Sequence, residues 1–185
     1  QAEQGLGDTL QFIRFVPRLA LRCAQVHVQV QPPLVGFLRR HLPDQHVGAL
    51  GDAVPGDTPQ RRIGLLSLPL ALQLADESDW ASGEAYLRAD PARAAAWRSR
   101  LPDAALRVGV AWRGFPGHRN DHNRSLPVQT LGPWFDAMRA GDASVVALQR
   151  DVNGEERDWL RRYANVQVLA GALADFDDTA AVLGS

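Results

Sequence analysis

The residues best equipped for chemistry stand at the start of the chain. Gln4-Gly5-Leu6-Gly7-Asp8-Thr9-Leu10-Gln11-Phe12 sets a Gly-x-Gly-Asp turn directly ahead of an amphipathic segment, Thr9 to Arg22. Gly5 and Gly7 permit a tight backbone path, including positive φ, and Asp8 and Thr9 are good helix N-caps. A strand-to-helix turn is where α/β proteins place ligands, because the helix N-terminus presents free N–H groups and a partial positive charge. A buried carboxylate at that point can also act as a base; a plain cap of the following helix is the other role open to Asp8.

The second group is a long polar loop, Arg113 to Ser125, holding Arg113, His118, Arg119, Asn120, Asn123, Arg124 and Ser125. It follows a strand and so sits at a carboxyl edge, where doubly wound folds bind ligands. Arginine forks and backbone N–H groups there can neutralise an anion without a metal; a solvated loop is the alternative. Gln149 and Arg150 close another strand at the same kind of edge and are candidates for the same ligand. His118-x-x-Asp121-His122 has loose spacing and no evident further ligand, so no metal site is expected. Asp175-Phe176-Asp177-Asp178 reads better as a helix start with acids in its first turn than as an acidic metal motif. Asp178 and Thr179 remain candidates for residues close to a bound ligand.

The elements that must position these residues alternate strand and helix. The periodicity predicts a helix over Thr9–Arg22, kinked at Pro17, a strand over Gln25–Val30 and a short helix over Pro33–His41. His46–Leu50 reads as a strand, Gly51 to Arg62 as a Gly-, Pro- and Asp-rich loop, and Ile63–Leu66 as a short strand. Asp90-Pro91 starts a helix running to Leu101. A second unit begins at Leu106, with a buried strand Arg107–Trp112, a helix Pro127–Arg139, a strand Ser144–Leu148, a helix Gly154–Tyr163 and a strand Val166–Leu169. Asp175 opens a last helix. Such alternation argues for an α/β fold with parallel sheets, in two Rossmann-like halves: 1–102, whose first strand is mostly missing, and 103–185, which is incomplete.

Composition narrows the classes. The formal net charge is -1 over 185 residues, with no basic surplus for nucleic acid. No apolar run approaches the roughly 20 residues of a membrane span. Cys23 is the single cysteine, so no intrachain disulfide is possible, and a reducing, cytoplasmic setting is the expectation. All 20 basic residues are arginine, which reads as the coding bias of a GC-rich bacterial genome. Any role usually given to lysine falls to arginine.

Five ordered stretches carry a resemblance. They are Glu3-Gln4-Gly5-Leu6-Gly7-Asp8-Thr9-Leu10-Gln11-Phe12; Val30-Gln31-Pro32-Pro33-Leu34; Leu66-Ser67-Leu68-Pro69-Leu70; Val108-Gly109-Val110-Ala111-Trp112 running on to Gly117–Ser125; and Leu173-Ala174-Asp175-Phe176-Asp177-Asp178-Thr179-Ala180-Ala181. Together the chain resembles the glycosyltransferase part of bacterial tetratricopeptide-repeat proteins. These are related to the heptosyltransferases of glycosyltransferase family 9 and, more distantly, to O-linked N-acetylglucosamine transferases. The resemblance implies a GT-B fold, with the acceptor, a protein or glycan, on the N-terminal half and the nucleotide-sugar donor on the C-terminal half.

It further implies Asp8 as general base, with Gly5, Gly7 and Thr9 as an acceptor-side loop. Arg113, His118, Arg119, Asn120, Asn123, Arg124, Ser125, Gln149 and Arg150 would surround the nucleotide diphosphate, Arg119 or Arg124 replacing the usual lysine. The nucleotide sugar, UDP-N-acetylglucosamine by analogy, is a co-substrate; no cofactor or metal is expected. The repeats that precede the catalytic part and a His-containing donor loop expected past Ser185 are not in this sequence, so the chain reads as truncated at both ends. A non-catalytic nucleotide-sugar or protein-binding module, and another Rossmann-type enzyme such as a nucleotide-sugar epimerase, stand as alternatives. A dinucleotide oxidoreductase is disfavoured because Leu10 occupies the position of the third glycine.

Overall fold

Two small parallel sheets organise the chain, one in each of two compact units, Gln1–Arg88 and Ala89–Ser185. The computed structural model describes residues 1–54, 61–80 and 85–185. Part of the expected Gly51–Arg62 loop, 55–60, lies outside them.

In the first unit β1 (His27–Val30) pairs with β2 (His46–Ala49), His27 opposite His46 and Val30 opposite Ala49. The crossover is α3 (Pro32–His41), which opens on two prolines suited to a first turn. Its Leu34, Phe37 and Leu38 recur at i, i+3 and i+4 and are buried together with Val28, Val30 and Val47. Gln1–Glu3 runs extended beside β1: the Ala2 N–H donates to Gln29 O at 2.8 Å, and Leu65 N–H donates to Gln1 O at 2.8 Å.

The single long helix expected over Thr9–Arg22 is three pieces that begin earlier. These are α1 (Leu6–Phe12), a 3₁₀ turn over Ile13–Phe15, and α2 (Val16–Ala20). Pro17 is the cause, since it has no N–H to donate to Ile13 and the chain tightens ahead of it. The expected strand Ile63–Leu66 does not form. Ile63 borders Gln1, and Leu65–Ser67 already turns as 3₁₀ into α4 (Leu68–Ala71); α5 (Glu77–Trp80) follows.

The second unit opens with α6 (Pro91–Arg98), its Asp90 cap accepting the Arg93 N–H at 2.8 Å. The division at Arg88 falls ahead of the boundary read at 102, because Trp97 and Leu101 pack into the second unit's core. Three parallel strands follow in the order β3 (Leu106–Val110), β4 (Ala143–Ala147), β5 (Val166–Val168). Between them run α7 (Gly132–Ala140) and α8 (Gly154–Leu160), and α9 (Phe176–Leu183) closes the unit.

Strand β4 is buried on both faces, in keeping with its apolar run Val145-Val146-Ala147. Val145 and Ala147 join Trp112, Phe135 and Leu160; Val146 points the other way, to Trp97, Leu169 and Ala181. Helices therefore cover both faces, α7 and α8 on one and α6 and α9 on the other. Strand β3, within the expected buried strand Arg107–Trp112, is only partly buried, with Val108 and Val110 half-buried and Gly109 exposed, because it ends the strand order. Among the described residues no helix is long and apolar enough to cross a membrane.

Candidate functional site

The glycine turn of the first unit is built differently from the expectation. Gly5 is the N-cap of α1 at φ -69°, ψ 168°, an extended conformation open to any residue, and Gly7 lies inside the helix. Positive φ is found instead at Gly51 and Gly171 among the described glycines. What Gly5 supplies is room. Asp8 sits at the third helical position and folds its carboxylate back, Oδ2 accepting the Gly5 N–H at 3.0 Å. A Cβ on Gly5 would stand 3.2 Å from that oxygen, and a Cβ on Gly7 would meet nothing within 4 Å. Asp8 is thus a cap of α1 through one oxygen. Its Oδ1 takes no hydrogen bond among the described residues, and the side chain is half-buried.

Thr9 does not line the surface. It is 1% exposed and donates its Oγ1 proton to Gln31 Oε1 at 2.9 Å, while Gln31 Nε2 donates to Gln4 O at 2.6 Å. This peg ties the glycine turn to the end of β1. Gln31 was not singled out from sequence. Its signal is a polar residue between a strand and a Pro-Pro helix start, which is too common to read alone.

In the second unit, parallel pairing sends the segments after β3, β4 and β5 to one carboxyl edge. Gln149, buried, accepts the N–H groups of Trp112 and Arg113 on its Oε1, both at 3.2 Å. Its Nε2 donates to Asp151 Oδ1 at 2.5 Å. The Arg113 guanidinium forks onto Glu156, Nε to Oε1 at 3.2 Å and Nη2 to Oε2 at 2.9 Å, and reaches both the Asp151 carboxylate and its carbonyl. The Trp112 indole N–H donates to Glu156 Oε1 at 3.1 Å. Glu156 also closes a capping box with Asn153 at the start of α8.

The electrostatics follow from this wiring. Burial pushes the Glu156 carboxyl up, but the Asn153 N–H, the Trp112 indole and Arg113 together outweigh burial and hold it below the ordinary value. The Gln149 amide does the same to Asp151, helped by Arg113. Glu156 and Asp151 are residues that sequence reasoning passed over; Asn153-x-x-Glu156 at a helix start was the available signal.

Beyond this anchor the loop is closed by its own polar groups. Ser125 Oγ accepts the Gly114 N–H at 2.9 Å and donates to Asp121 Oδ1 at 2.7 Å, pinching the two ends of the loop together. Asn123 Nδ2 donates to Asn120 Oδ1 at 2.7 Å, and the Asn120 N–H donates to His118 Nδ1 at 3.1 Å. Arg119 and Arg124 are exposed, as is Arg150 after β4, and none has an ion pair among the described residues. Arg113 and Gln149, by contrast, are committed to the anchor.

Asp178 and Thr179 lie in the first turns of α9, after the carboxyl end of β5. Asp178 is occupied on both oxygens: Oδ1 accepts the Trp97 indole N–H at 3.1 Å and Arg93 at 3.4 Å, and Oδ2 accepts the Ala174 N–H at 2.9 Å. Thr179 Oγ1 turns back to Asp175 O at 3.3 Å. Asp178 thus fastens α9 to α6, while Thr179 bonds within the start of its own helix. Among the described residues no three His, Cys, Asp or Glu side chains stand together to hold a metal ion. Comparison with family models, with curated proteins and with solved structures finds no match to this chain.

Proposed function

We propose that this chain is part of a metal-independent GT-B glycosyltransferase. In this reading, both units are Rossmann-like: the first takes an acceptor hydroxyl and the second a nucleotide-diphospho-sugar. The observation that carries it is the carboxyl edge of β3, β4 and β5. There a wired anchor, Arg113–Glu156–Asp151–Gln149, holds the base of a loop whose Arg119 and Arg124 are exposed and without an ion pair among the described residues, as is Arg150 after β4. These are exposed cations on the segments that leave the edge where parallel sheets take phosphorylated ligands.

The chemistry assigned is a single displacement. The acceptor oxygen attacks the anomeric carbon and the bond from that carbon to the diphosphate oxygen breaks, its electron pair leaving with the nucleoside diphosphate. Asp8 Oδ1 takes the hydroxyl proton while Oδ2 stays on the Gly5 N–H, which fixes the carboxylate's direction. Arg119, Arg124 and Arg150 neutralise the charge that grows on the leaving group.

The test is calorimetry with UDP and UDP-N-acetylglucosamine, followed by turnover on an acceptor library. Asp8→Asn is expected to lower turnover about 10²–10⁴-fold with donor affinity unchanged. No binding of any nucleotide sugar would sink the reading. A non-catalytic binding module is favoured by one observation, that Asp8 already serves as a helix cap. Donor binding without turnover, identical in the parent chain and in Asp8→Asn, would decide for it.

A further inference from the structure

The loop 113–125 carries one large side chain that the chemistry proposed above does not use. Phe115 is 76% exposed, although an aromatic ring ordinarily stabilises a protein by being buried. The ring is nevertheless held. Pro116 and Gly117 turn the chain directly after it, and the His118 N–H donates to Phe115 O at 3.0 Å across that turn. Gly117 takes no positive φ, so the backbone of the turn does not require a glycine. The Phe115 ring does require it. A Cβ on Gly117 would stand 2.6 Å from Phe115 Cε1, inside van der Waals contact, and 3.0 Å from Cζ. The ring is therefore seated against the bare backbone of Gly117 and leaves most of its surface in solvent.

A cation stands at the residue before it. A Cβ on Gly114 would lie 3.8 Å from Arg124 Nη2 and 3.9 Å from Arg124 Cζ, so the guanidinium rests beside Gly114. The base of the loop fixes this placement, because Ser125 Oγ accepts the Gly114 N–H at 2.9 Å one residue after Arg124. The Asp121 carboxylate is also close to Gly114, and its Oδ1 accepts the Ser125 hydroxyl at 2.7 Å. Arg124 is exposed and makes no ion pair among the described residues. The loop thus presents a guanidinium and a held aromatic ring side by side, at residues 114 and 115. A guanidinium recognises a phosphate. An exposed ring stacks on the flat face of a base. A nucleotide carries both groups in one molecule.

We propose that Phe115 is the stacking platform for the nucleobase of a nucleoside diphosphate whose phosphate meets Arg124. The inference rests on the reading of this loop as the seat of the diphosphate, and it adds the residue that separates a nucleotide from a bare diphosphate. Every base has a π-face, so Phe115 supplies affinity for nucleotides as a class rather than a choice among bases.

The test is calorimetry with UDP and with inorganic pyrophosphate, on the parent chain and on Phe115→Ala, Phe115→Leu and Phe115→Tyr. The position is exposed, so all three variants are expected to fold as the parent does. The parent should bind UDP more tightly than pyrophosphate. Phe115→Ala and Phe115→Leu should each lose UDP affinity by about 5- to 150-fold with pyrophosphate affinity unchanged. Phe115→Tyr, which keeps the ring, should retain it. Leucine separates stacking from plain apolar contact, so UDP affinity equal to the parent's in Phe115→Leu would overturn the proposal. An equal loss of UDP and pyrophosphate in Phe115→Ala would overturn it too, marking a disturbed loop. Equal affinity of the parent for the two ligands would remove the base contact and leave the loop as a diphosphate site. Binding of neither ligand by the parent would remove the proposal together with the reading it rests on.

Discussion

Single residues in this chain separate space from charge. Gly7 is followed by the proposed base, yet a Cβ there meets nothing within 4 Å and the residue is helical. Gly7→Ala is expected to leave stability unchanged or raise it by up to about 1 kcal/mol, because alanine is the better helix former. Any accompanying loss of turnover then reports acceptor approach to the backbone, and a fall in melting temperature would contradict the geometry. Glu156 is the opposite case. Its carboxylate is buried and joins Trp112, Arg113 and the start of α8. Glu156→Gln removes the charge that Arg113 was paired with and is expected to cost about 2–3 kcal/mol, measured by urea denaturation. The pH dependence has a definite sign. Glu156 binds its proton more weakly folded than unfolded, so its contribution is complete above about pH 4.5 and lost as pH falls below that through the folded value. The acid limb of the stability curve should therefore flatten in Glu156→Gln; an unchanged limb would show that the anchor carries no net stability.

At the scale of elements, the loop 113–125 divides into a fixed base and a free arm. Ser125, Asp121 and Gly114 close the base, whereas Arg119 and Arg124 are exposed and make no ion pair among the described residues. Arg119→Ala and Arg124→Ala should each stay within about 0.5 kcal/mol of parent stability, as surface substitutions do. Each should weaken UDP binding roughly tenfold or more if its guanidinium meets a phosphate. Titrations repeated at rising salt should then show a shallower salt dependence for the variants; affinity equal to the parent's would remove these arginines from the site. The same contrast explains what was legible in the sequence. Caps with a polar side chain, Asp90 with Pro91 and Asp175, announced their helices, and the apolar residues from Val145 announced the strand β4, though not its burial on both faces. The start of α1 was missed because its cap is a glycine, and the break before α2 because Pro17 acts on the turn preceding it. The burial of β3 was overread because an edge and a central position look alike in sequence. For the site, the loop's residue types were visible, but not that Arg113 and Gln149 are consumed by two acids further along the chain.

The whole molecule carries opposed charges in near balance, and this has a consequence that no single contact has. Its net charge is -1 at pH 7 and its isoelectric point is near 6.6. Lysine is absent and all 20 strongly basic side chains are arginine, whose charge persists across the working range. Near neutral pH, therefore, little long-range repulsion keeps copies apart. Apolar side chains stand in solvent at the same time: Leu21 is 88% exposed, Leu70 85% and Phe115 76%. The two features reinforce each other, since apolar association is limited mainly by charge repulsion. Solubility, followed by static light scattering, should pass through a minimum near pH 6.6 and recover by one to two pH units on the alkaline side. Leu21→Glu and Leu70→Glu each remove an exposed apolar side chain and add a negative charge. They should shift that minimum to lower pH and make it shallower, with folding stability held within about 0.5 kcal/mol. A minimum that stays in place in both variants would show that association runs through another surface.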